Sequence, residues 1–256
     1  MSLEIRNLSL RFGGIVALNR LSLSAADGEL LAVVGPNGAG KTALLNCISG
    51  VYRPSAGEIV LNGCNLTHLP VDKIAWARVG RSFQHAELFP HMTVTENLLI
   101  GRHLIMRTGL FSGAFYFGRA RREEFEQRRQ IERIIDFFEL YRYRDVPAAS
   151  LPYGVQKLVG VARALALDPK LLLLDEPSTG LMREEKENLA RFLLRIRHEL
   201  KLGMLWVEHD MQMVTDLSDR IIVLNQGEVI ADGLPERVRT MPEVIKAYLG
   251  ADAAVV

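Results

Sequence analysis

Cysteine, long apolar runs and an excess of one charge are all scarce in this sequence of 256 residues. Its two cysteines, Cys47 and Cys64, are too few for the disulfide framework of a small secreted domain. The longest stretch without Asp, Glu, Lys or Arg is 59–71, which is far shorter than the roughly 20 apolar residues that span a bilayer. The 31 Lys and Arg nearly balance the 30 Asp and Glu, which argues against nucleic-acid binding by bulk electrostatics. We therefore expect no transmembrane segment and no nucleic-acid partner.

The composition is that of an ordinary globular protein. Hydrophobic residues make up 48% and charged residues 24% of the chain, which allows a sizeable core. Glu4 and Arg6 stand where a signal peptide needs an apolar segment, so we expect a reduced, cytoplasmic protein. At about 150 residues per domain, the length predicts one large domain or one domain with a smaller appendage.

Apolar runs of strand length predict a mainly parallel sheet. Residues 29–35 contain a continuous apolar run that ends in glycine, and similar runs occupy 171–174, 204–207 and 221–224. Strands that are buried on both faces have this pattern. Because segments with helical spacing separate the runs, the sequence predicts an α/β fold.

Two segments depart from this pattern. Near the N-terminus, 3–10 and 21–26 alternate apolar and polar residues, with the Gly13-Gly14 turn between them, which predicts antiparallel strands. From about 98 to 167 the sequence is rich in aromatic residues and arginine and includes a predicted helix at 121–140 with apolar positions on one face. We predict a single domain over 1–256, with an antiparallel N-terminal part and a helical subdomain inserted at 98–167.

A phosphate-binding loop is predicted at 35–42. Its residues, Gly-Pro-Asn-Gly-Ala-Gly-Lys-Thr, match the pattern G-x-x-x-x-G-K-[ST] between a predicted strand and a predicted helix. The glycines allow the amides to turn inward, so that they and the helix N-terminus surround the phosphates of a nucleotide; a turn that only caps a helix is the alternative. Lys41 adds a positive charge, and the Thr42 hydroxyl can bind Mg²⁺. The predicted nucleotide contacts are Asn37, Gly38, Ala39, Gly40, Lys41, Thr42 and Ala43.

Polar side chains follow the other predicted strands. Asp175 can hold Mg²⁺ through water, and Glu176 can polarise the attacking water as general base. His209 can contact the γ-phosphate or the nucleophile, and the Gln84 amide can bond both metal and water. Each of these residues alone also has an ordinary structural interpretation. Beside a phosphate loop they predict Lys41, Gln84, Glu176 and His209 as catalytic residues, and Thr42, Gln84 and Asp175 as metal ligands.

A second phosphate-facing helix end is predicted at 151–156. This segment, Leu-Pro-Tyr-Gly-Val-Gln, precedes a helix that ends near Leu167, and Gly154 lets backbone amides approach a phosphate closely. The two phosphate-binding elements of one chain need not face the same nucleotide. This raises the question of a dimer.

Together these motifs resemble the ATP-binding subunit of ABC transporters, and the resemblance covers nearly the whole chain. It implies the P-loop NTPase fold with a mostly parallel sheet, and it implies ATP and Mg²⁺ as ligands. The similar elements are the Walker A loop at 35–42, the Q-loop at Gln84, the signature at 151–156, the Walker B strand at 171–176, the D-loop at 178–182 and the switch histidine at His209.

The resemblance implies a head-to-tail pair of chains that enclose two ATP molecules. Each ATP contacts the phosphate loop of one chain and, in the other chain, Pro152, Tyr153 and Gly154. Such a pair has an isologous interface. Phe12 resembles the aromatic residue on which the family stacks adenine, and a buried core phenylalanine is the alternative.

Further segments resemble the ATPase subunits of bacterial importers for branched-chain or hydrophobic amino acids. The substrate class depends on this resemblance alone, because such a subunit contains no solute site. The implied partners are permease subunits that contact the chain between Gln84 and Pro90, a second ATPase subunit, identical or different, and a solute-binding protein. The implied location is peripheral, on the cytoplasmic face of the membrane. The similar segments are 11–14, 89–94, 108–113, 151–154, 207–211 and 244–250.

Four positions depart from the family pattern. Val155 stands where the signature usually has Gln, and Met182 where the D-loop usually has Asp or Asn. Ala43 replaces a common second hydroxyl, and Gly160 lies inside the signature helix at a cost of about 1 kcal/mol relative to Ala. Because the catalytic residues are all present, we expect hydrolysis to be retained but slower or more dependent on the partner subunit.

Three other functions stay open from the sequence. One is the ATPase of a lipid or lipopolysaccharide exporter, which has a similar short body. Another is a cassette protein that acts on DNA or ribosomes, although such proteins usually carry a coiled coil or two tandem cassettes, which this chain lacks. The third is a non-hydrolysing ATP-gated clamp, which Val155 and Met182 suggest. For the aromatic insert at 108–118 we favour a local aromatic cluster, and a contact with a partner or with lipid headgroups is the alternative.

Overall fold

Two β-sheets and nine α-helices make up the part of the chain that the computed structural model describes, which is 2–84, 87–105 and 119–252, without the side chains of 119–124 and 249–252. The aromatic insert predicted at 108–118 lies outside these ranges. In chain order the strands are β1 (Leu3–Phe12), β2 (Ile15–Ala25), β3 (Leu30–Val34), β4 (Ala56–Leu61), β5 (Cys64–Asn65), β6 (Val79–Ser82), β7 (Leu171–Asp175), β8 (Gly203–Val207), β9 (Arg220–Asn225) and β10 (Glu228–Gly233).

The helices lie mainly between these strands. Short 3₁₀ helices occupy His103–Ile105, Tyr141–Tyr143 and Ala148–Ser150. The α-helices are α1 (Lys41–Ile48), α2 (Val71–Trp76), α3 (Val94–Gly101), α4 (Arg119–Phe137), α5 (Tyr153–Ala166), α6 (Arg183–Leu200), α7 (Met211–Leu217), α8 (Pro235–Val238) and α9 (Pro242–Asp252).

The larger sheet has the strand order β10-β9-β3-β8-β7-β6. Its neighbouring strands are parallel except for β9 and β10. The four apolar runs of the sequence form β3, β7, β8 and β9, so the predicted mostly parallel sheet is confirmed. These strands have apolar residues at nearly every position because both faces of the sheet are covered.

The smaller sheet is antiparallel and has the order β2-β1-β4-β5. In β1, Leu3, Ile5, Leu8 and Leu10 are buried in one core. The sequence alternates apolar and polar residues on each side of Arg6-Asn7, and an irregularity of the strand between Ile5 and Leu8 keeps both halves on the same face. The predicted second strand starts earlier than expected, at Ile15, because the chain reverses over only two residues and Phe12 pairs directly with Ile15.

Two hydrophobic cores lie on opposite faces of the parallel sheet. In β3, Leu31 and Val33 face the core that α1 and the antiparallel sheet share, while Leu30, Ala32 and Val34 face the core on the helical side. Alternate residues of one strand thus join both layers. The sheet edge at which the parallel strands end is therefore held from both sides.

The helical part of the chain packs on the second core. Thr93 caps α3 in a capping box with Glu96, and α3 packs against α4 and α5. The helix predicted at 121–140 is α4, which starts two residues earlier and buries Ile131 and Ile135. In the described ranges, no helix is both long enough and apolar enough to cross a bilayer.

Candidate functional site

The predicted phosphate loop runs from β3 to α1. Gly35, Gly38 and Gly40 have positive φ angles of 149°, 80° and 102°. A Cβ on Gly40 would lie 2.7 Å from the carbonyl oxygen of Ala17, so both the backbone angle and the space exclude a larger residue there. Gly38 and Asn37 are exposed, which leaves the outer side of the loop accessible to a ligand.

Lys41 closes this loop from the first turn of α1. Its Nζ donates to the carbonyl oxygens of Gly35 at 2.7 Å and Pro36 at 2.9 Å, and the residue is buried. Burial lowers the pKa of Lys41, and the charges of Glu176 and Asp175 oppose this effect. Since an ammonium group bonds an anion more strongly than a neutral carbonyl, the loop is suited to exchange these contacts for phosphate oxygens.

Asp175 ends β7 and pairs with a buried arginine on the neighbouring strand β6. Arg81 donates from Nη2 to Asp175 Oδ2 at 2.8 Å, and 7% of each side chain is exposed. From Nη1 the same guanidinium donates to Asn46 Oδ1 and Ser49 Oγ, both at 2.7 Å. Because Asn46 lies on α1 and Ser49 follows it, Arg81 fixes Asp175 relative to the helix that carries the phosphate loop.

Glu176 lies where three parallel strands end. Its Oε1 is 2.7 Å from His209 Nε2 and its Oε2 accepts from Gln84 Nε2 at 2.9 Å. The Thr179 hydroxyl also donates to Oε2, at 3.2 Å. Gln84, Glu176 and His209 follow β6, β7 and β8, whose carboxyl ends meet at one edge of the sheet. The structure thus brings together three of the four predicted catalytic side chains.

The backbone of Glu176 has φ 46°, in the left-handed region. This conformation costs about 1–2 kcal/mol for a residue other than glycine. It is held by a hydrogen bond from the Glu176 N–H to the carbonyl oxygen of Val207 at 2.9 Å. Strain of this kind persists where the surrounding structure fixes a side chain for function.

The donor set fits Mg²⁺ that arrives with a nucleotide. Within the described residues, no three His, Cys, Asp or Glu side chains gather around one point. Thr42 is exposed at the start of α1, and with Asp175 and Gln84 it offers one hydroxyl, one carboxylate and one amide. Mg²⁺ requires six oxygen ligands and is usually bound by few protein groups together with water and phosphate.

Phe12 presents an exposed aromatic ring at the tip of the β1–β2 hairpin. It is 47% exposed, so the alternative of a buried core residue is wrong. Its ring packs edge-on against Tyr52, with centroids 5.0 Å apart and an interplanar angle of 77°. The β1–β2 hairpin that carries Phe12 also contains Ala17, whose carbonyl oxygen limits the space at Gly40.

The predicted signature residues lie at the N-terminus of α5. Pro152 and Tyr153 are exposed and Gly154 is buried. The Tyr153 hydroxyl donates to the carbonyl oxygen of Thr179 at 3.4 Å, and a Cβ on Gly154 would lie 2.6 Å from Glu185 Cδ. These neighbours are in the same chain, and the contact of Pro152, Tyr153 and Gly154 with a nucleotide of a second chain stays a prediction.

Comparison with known proteins identifies the family. The family model described as "ABC transporter" matches residues 18–179, and the model described as "Branched-chain amino acid ATP-binding cassette transporter" matches residues 228–254. The chain belongs to the ABC transporter family. A curated relative of this cassette is the "High-affinity branched-chain amino acid transport ATP-binding protein LivG" of Salmonella typhimurium, which is 41% identical over 248 residues and 97% of each chain.

Solved structures of ABC cassettes have the same fold. The ADP conformation of an ATP-binding cassette of an ABC transporter is 29% identical, with a TM-score of 0.85 over 98% of this chain and 99% of that one. A dimeric cassette in a post-hydrolysis state, bound to ADP and Pi, is 26% identical, with a TM-score of 0.76 over 91% of this chain and 98% of that one. The predictions of a P-loop NTPase fold and of an ABC transporter ATPase are confirmed.

The four departures from the family pattern occupy different environments in the cassette. Val155 is half-buried and packs against the core on the helical side, Gly160 is buried, and Ala43 packs against the opposite core. Met182 is 78% exposed. Only Met182 therefore presents its side chain mainly to solvent, where a second chain can reach it.

Three buried charged residues at the site were missed from the sequence. Arg81 pairs with Asp175, and Lys157 donates to the backbone carbonyls of Gln84 and Glu176. Glu208 accepts from the backbone N–H groups of Ser178 and His209. The available signal was a charge within an apolar stretch, as at Lys157 in α5 and Glu208 beside β8. Their partners could not be read from the sequence.

Proposed function

We propose that this cassette hydrolyses ATP to drive the import of branched-chain or other hydrophobic amino acids. The observation that carries the proposal is the 41% identity, over 97% of both chains, to a protein named for high-affinity branched-chain amino acid transport. The match of residues 228–254 to the branched-chain cassette model supports the same substrate class. The fold alone would not, because one fold serves many substrates.

The proposed reaction uses the residues that meet at the carboxyl edge of the sheet. Glu176 accepts a proton from the attacking water as general base, while His209 and Gln84 hold its two carboxylate oxygens in place. Lys41 transfers its Nζ contacts from the Gly35 and Pro36 carbonyls to the phosphates. Mg²⁺, held by Thr42, Gln84 and Asp175, would neutralise the charge that develops on the transferred phosphoryl group.

The proposed assembly is a pair of cassettes that face each other head to tail. The phosphate loop of one chain and Pro152, Tyr153 and Gly154 of the other then enclose each ATP, and Phe12 stacks on the adenine. ATP favours the closed pair because it gains contacts there that the open pair does not offer. Loss of the γ-phosphate removes these contacts and lets the chains separate.

The proposed contact with the permease lies between Gln84 and Pro90, of which residues 85 and 86 are outside the described ranges. Phe89 is 46% exposed and Met92 is 38% exposed, so apolar side chains are available at this surface. Gln84 also donates to the catalytic carboxylate of Glu176. A movement of Gln84 during hydrolysis would therefore displace the adjoining surface that contacts the permease. Such a cassette binds at the cytoplasmic face of the membrane, in a complex that includes a solute-binding protein.

Uptake of radiolabelled leucine, isoleucine and valine tests the proposal. Cells that carry Glu176→Gln or Lys41→Ala in the chromosomal gene should lose most high-affinity uptake and recover it with the wild-type gene. Unchanged uptake, together with a defect in lipid or lipopolysaccharide export, would favour an exporter instead. Transport without phosphate release by the assembled complex would favour the non-hydrolysing clamp.

A further inference from the structure

Lys157 is a buried cation that the proposed mechanism does not use. It lies on α5, one turn after Gly154, and is 3% exposed. Its Nζ donates to the backbone carbonyl of Gln84 and, at 3.4 Å, to the backbone carbonyl of Glu176. One ammonium group on the signature helix thus contacts the main chain of two residues at the hydrolysis site.

A buried ammonium group at this position is not explained by stability. Taking a charge out of water is costly, and a well-packed apolar side chain in its place is often neutral or stabilising. The neighbours Leu158 and Val159 on α5 are buried apolar residues, so the helix packs without a charge at these positions. The ammonium group supplies what an apolar residue cannot, which is hydrogen bonds that fix the two carbonyls.

Glu208 forms the acidic counterpart of Lys157 at the end of β8. It is 1% exposed, its Oε1 accepts from the Ser178 N–H at 3.0 Å, and its Oε2 accepts from the His209 N–H at 2.8 Å. Burial lowers the pKa of Lys157, and the charge of Glu208 opposes this effect, as do Glu176 and Asp175. The two opposite charges together hold the backbone of Gln84, Glu176, Ser178 and His209.

We propose that Lys157 is a positioning residue that couples the signature helix to Glu176 and Gln84 of its own chain. The N-terminus of α5 faces the nucleotide of the second chain in the proposed assembly, while Lys157 on the same helix holds the hydrolysis site of the first. A shift of α5 on binding or release of that nucleotide moves Nζ and, through it, the two carbonyls. Each chain thereby senses the partner's site through one side chain. The inference rests on the proposed function, since it requires the two-chain arrangement.

The test compares substitutions of Lys157 in the full-length chain. Lys157→Met removes the ammonium group but keeps the length of the side chain, Lys157→Arg keeps the charge, and Lys170→Met is the matched control at an exposed lysine. Lys157→Met should lower kcat for ATP by about tenfold, the scale of a misplaced general base, with KM changed by less than about twofold. Lys157→Arg should recover most of kcat, and Lys170→Met should match the wild type.

A double variant tests whether Lys157 acts through Glu176. If it does, Lys157→Met should not lower the residual rate of Glu176→Gln any further, because positioning a base that is absent has no effect. A further drop in that background would overturn the proposal, as would a wild-type kcat in Lys157→Met or a loss that Lys157→Arg does not recover.

Folding and basal activity are controlled separately. If Lys157→Met does not fold, Lys157→Gln replaces it, because its amide can still donate to one carbonyl; an intermediate kcat supports the proposal and a wild-type kcat overturns it. A wild-type chain without ATPase activity would overturn the proposed function and this inference together. A wild-type chain with ATPase activity and an equally active Lys157→Met chain would overturn the inference alone.

Discussion

Glu176 and His209 bond each other at 2.7 Å, but 14% of the first side chain and 40% of the second is exposed. The carboxylate is therefore shielded on the side of the sheet, while the imidazole faces the solvent from which a water or a phosphate enters. The Gln84 amide occupies the other carboxylate oxygen. Both oxygens of the base are thus held by neighbouring side chains, which is the preorganisation that proton transfer benefits from.

Replacement of this base should separate ATP binding from hydrolysis. In Glu176→Gln the amide keeps the shape but accepts no proton, so kcat should fall by about 10²- to 10⁴-fold. The variant should retain two ATP and form a stable dimer on size-exclusion chromatography. Glu243→Gln, at an exposed glutamate on α9, is the control. A monomeric Glu176→Gln chain without bound nucleotide would contradict the two-chain arrangement.

Loss of the Phe12 ring should weaken ATP binding because it removes a contact with the adenine ring, while the contacts with the phosphates remain. Aromatic contacts of this kind contribute about 0.5–1.5 kcal/mol, so Phe12→Ala should bind ATP about two- to twelvefold more weakly in calorimetry. Phe12→Trp should retain the affinity, and so should Phe125→Ala, a control at a ring that is 69% exposed on α4. Inorganic triphosphate has no base to stack. An equal loss of affinity for it in Phe12→Ala would indicate a distorted loop instead.

A polar residue in place of Met182 should stabilise the chain. Met182 is the N-cap of α6, with φ −70° and ψ 164°, and its side chain is exposed. A carboxylate at the N-cap accepts a backbone N–H of the first turn far better than a thioether does, which is worth about 0.5–2 kcal/mol. Met182→Asp should raise the melting temperature by about 1–8 °C in a chain of this size, at about 2–4 °C per kcal/mol, whereas Met182→Ala should not. A lower melting temperature for Met182→Asp would refute the cap assignment.

The same substitution tests whether the D-loop departure slows hydrolysis. Met182→Asp restores a polar group that can reach the second chain, so we expect a higher steady-state ATPase rate. Val155→Gln should give no comparable gain, because the Val155 side chain packs against the core of its own chain. If neither variant gains activity, the departures do not limit the rate.

The two thiols should react at very different rates. Burial raises the pKa of the Cys47 thiol to about 12, so almost none of it is thiolate at neutral pH, whereas Cys64 is exposed. With a thiol-specific disulfide reagent, Cys47→Ser should react rapidly, and Cys64→Ser should react only when guanidinium unfolds the chain. Rapid reaction of the folded Cys64→Ser protein would show that α1 opens readily.

The main motifs of the site were predictable because they are local in sequence. The phosphate loop at 35–42 and the pair Asp175-Glu176 each follow an apolar run within a few residues, so strand and motif predict each other. The charged residues around them were not predictable, because their partners are distant in the chain. Arg81 lies 94 residues from Asp175, and Lys157 lies 73 residues from Gln84. The pairing of β6 with β7 brings the first pair together, and the packing of α5 against β6 brings the second pair together.

The strands that were missed have weak sequence signals. β6 is four residues long and contains Gly80 and Arg81, and a buried arginine in a strand is rare unless it is paired. β5 has only two residues. In both cases pairing with a neighbouring strand, rather than the local apolar pattern, determines the structure.

Because the backbone of Glu176 is left-handed, selection for heat resistance and selection for transport should favour different residues at this position. Glycine or asparagine tolerates φ 46° better than glutamate does, so a library screened only for heat resistance should enrich these residues at position 176. The same library screened for growth on limiting amino acid should return glutamate. The residue frequencies at position 176 would then differ between the two screens, which would show that glutamate lowers stability here and is kept for catalysis.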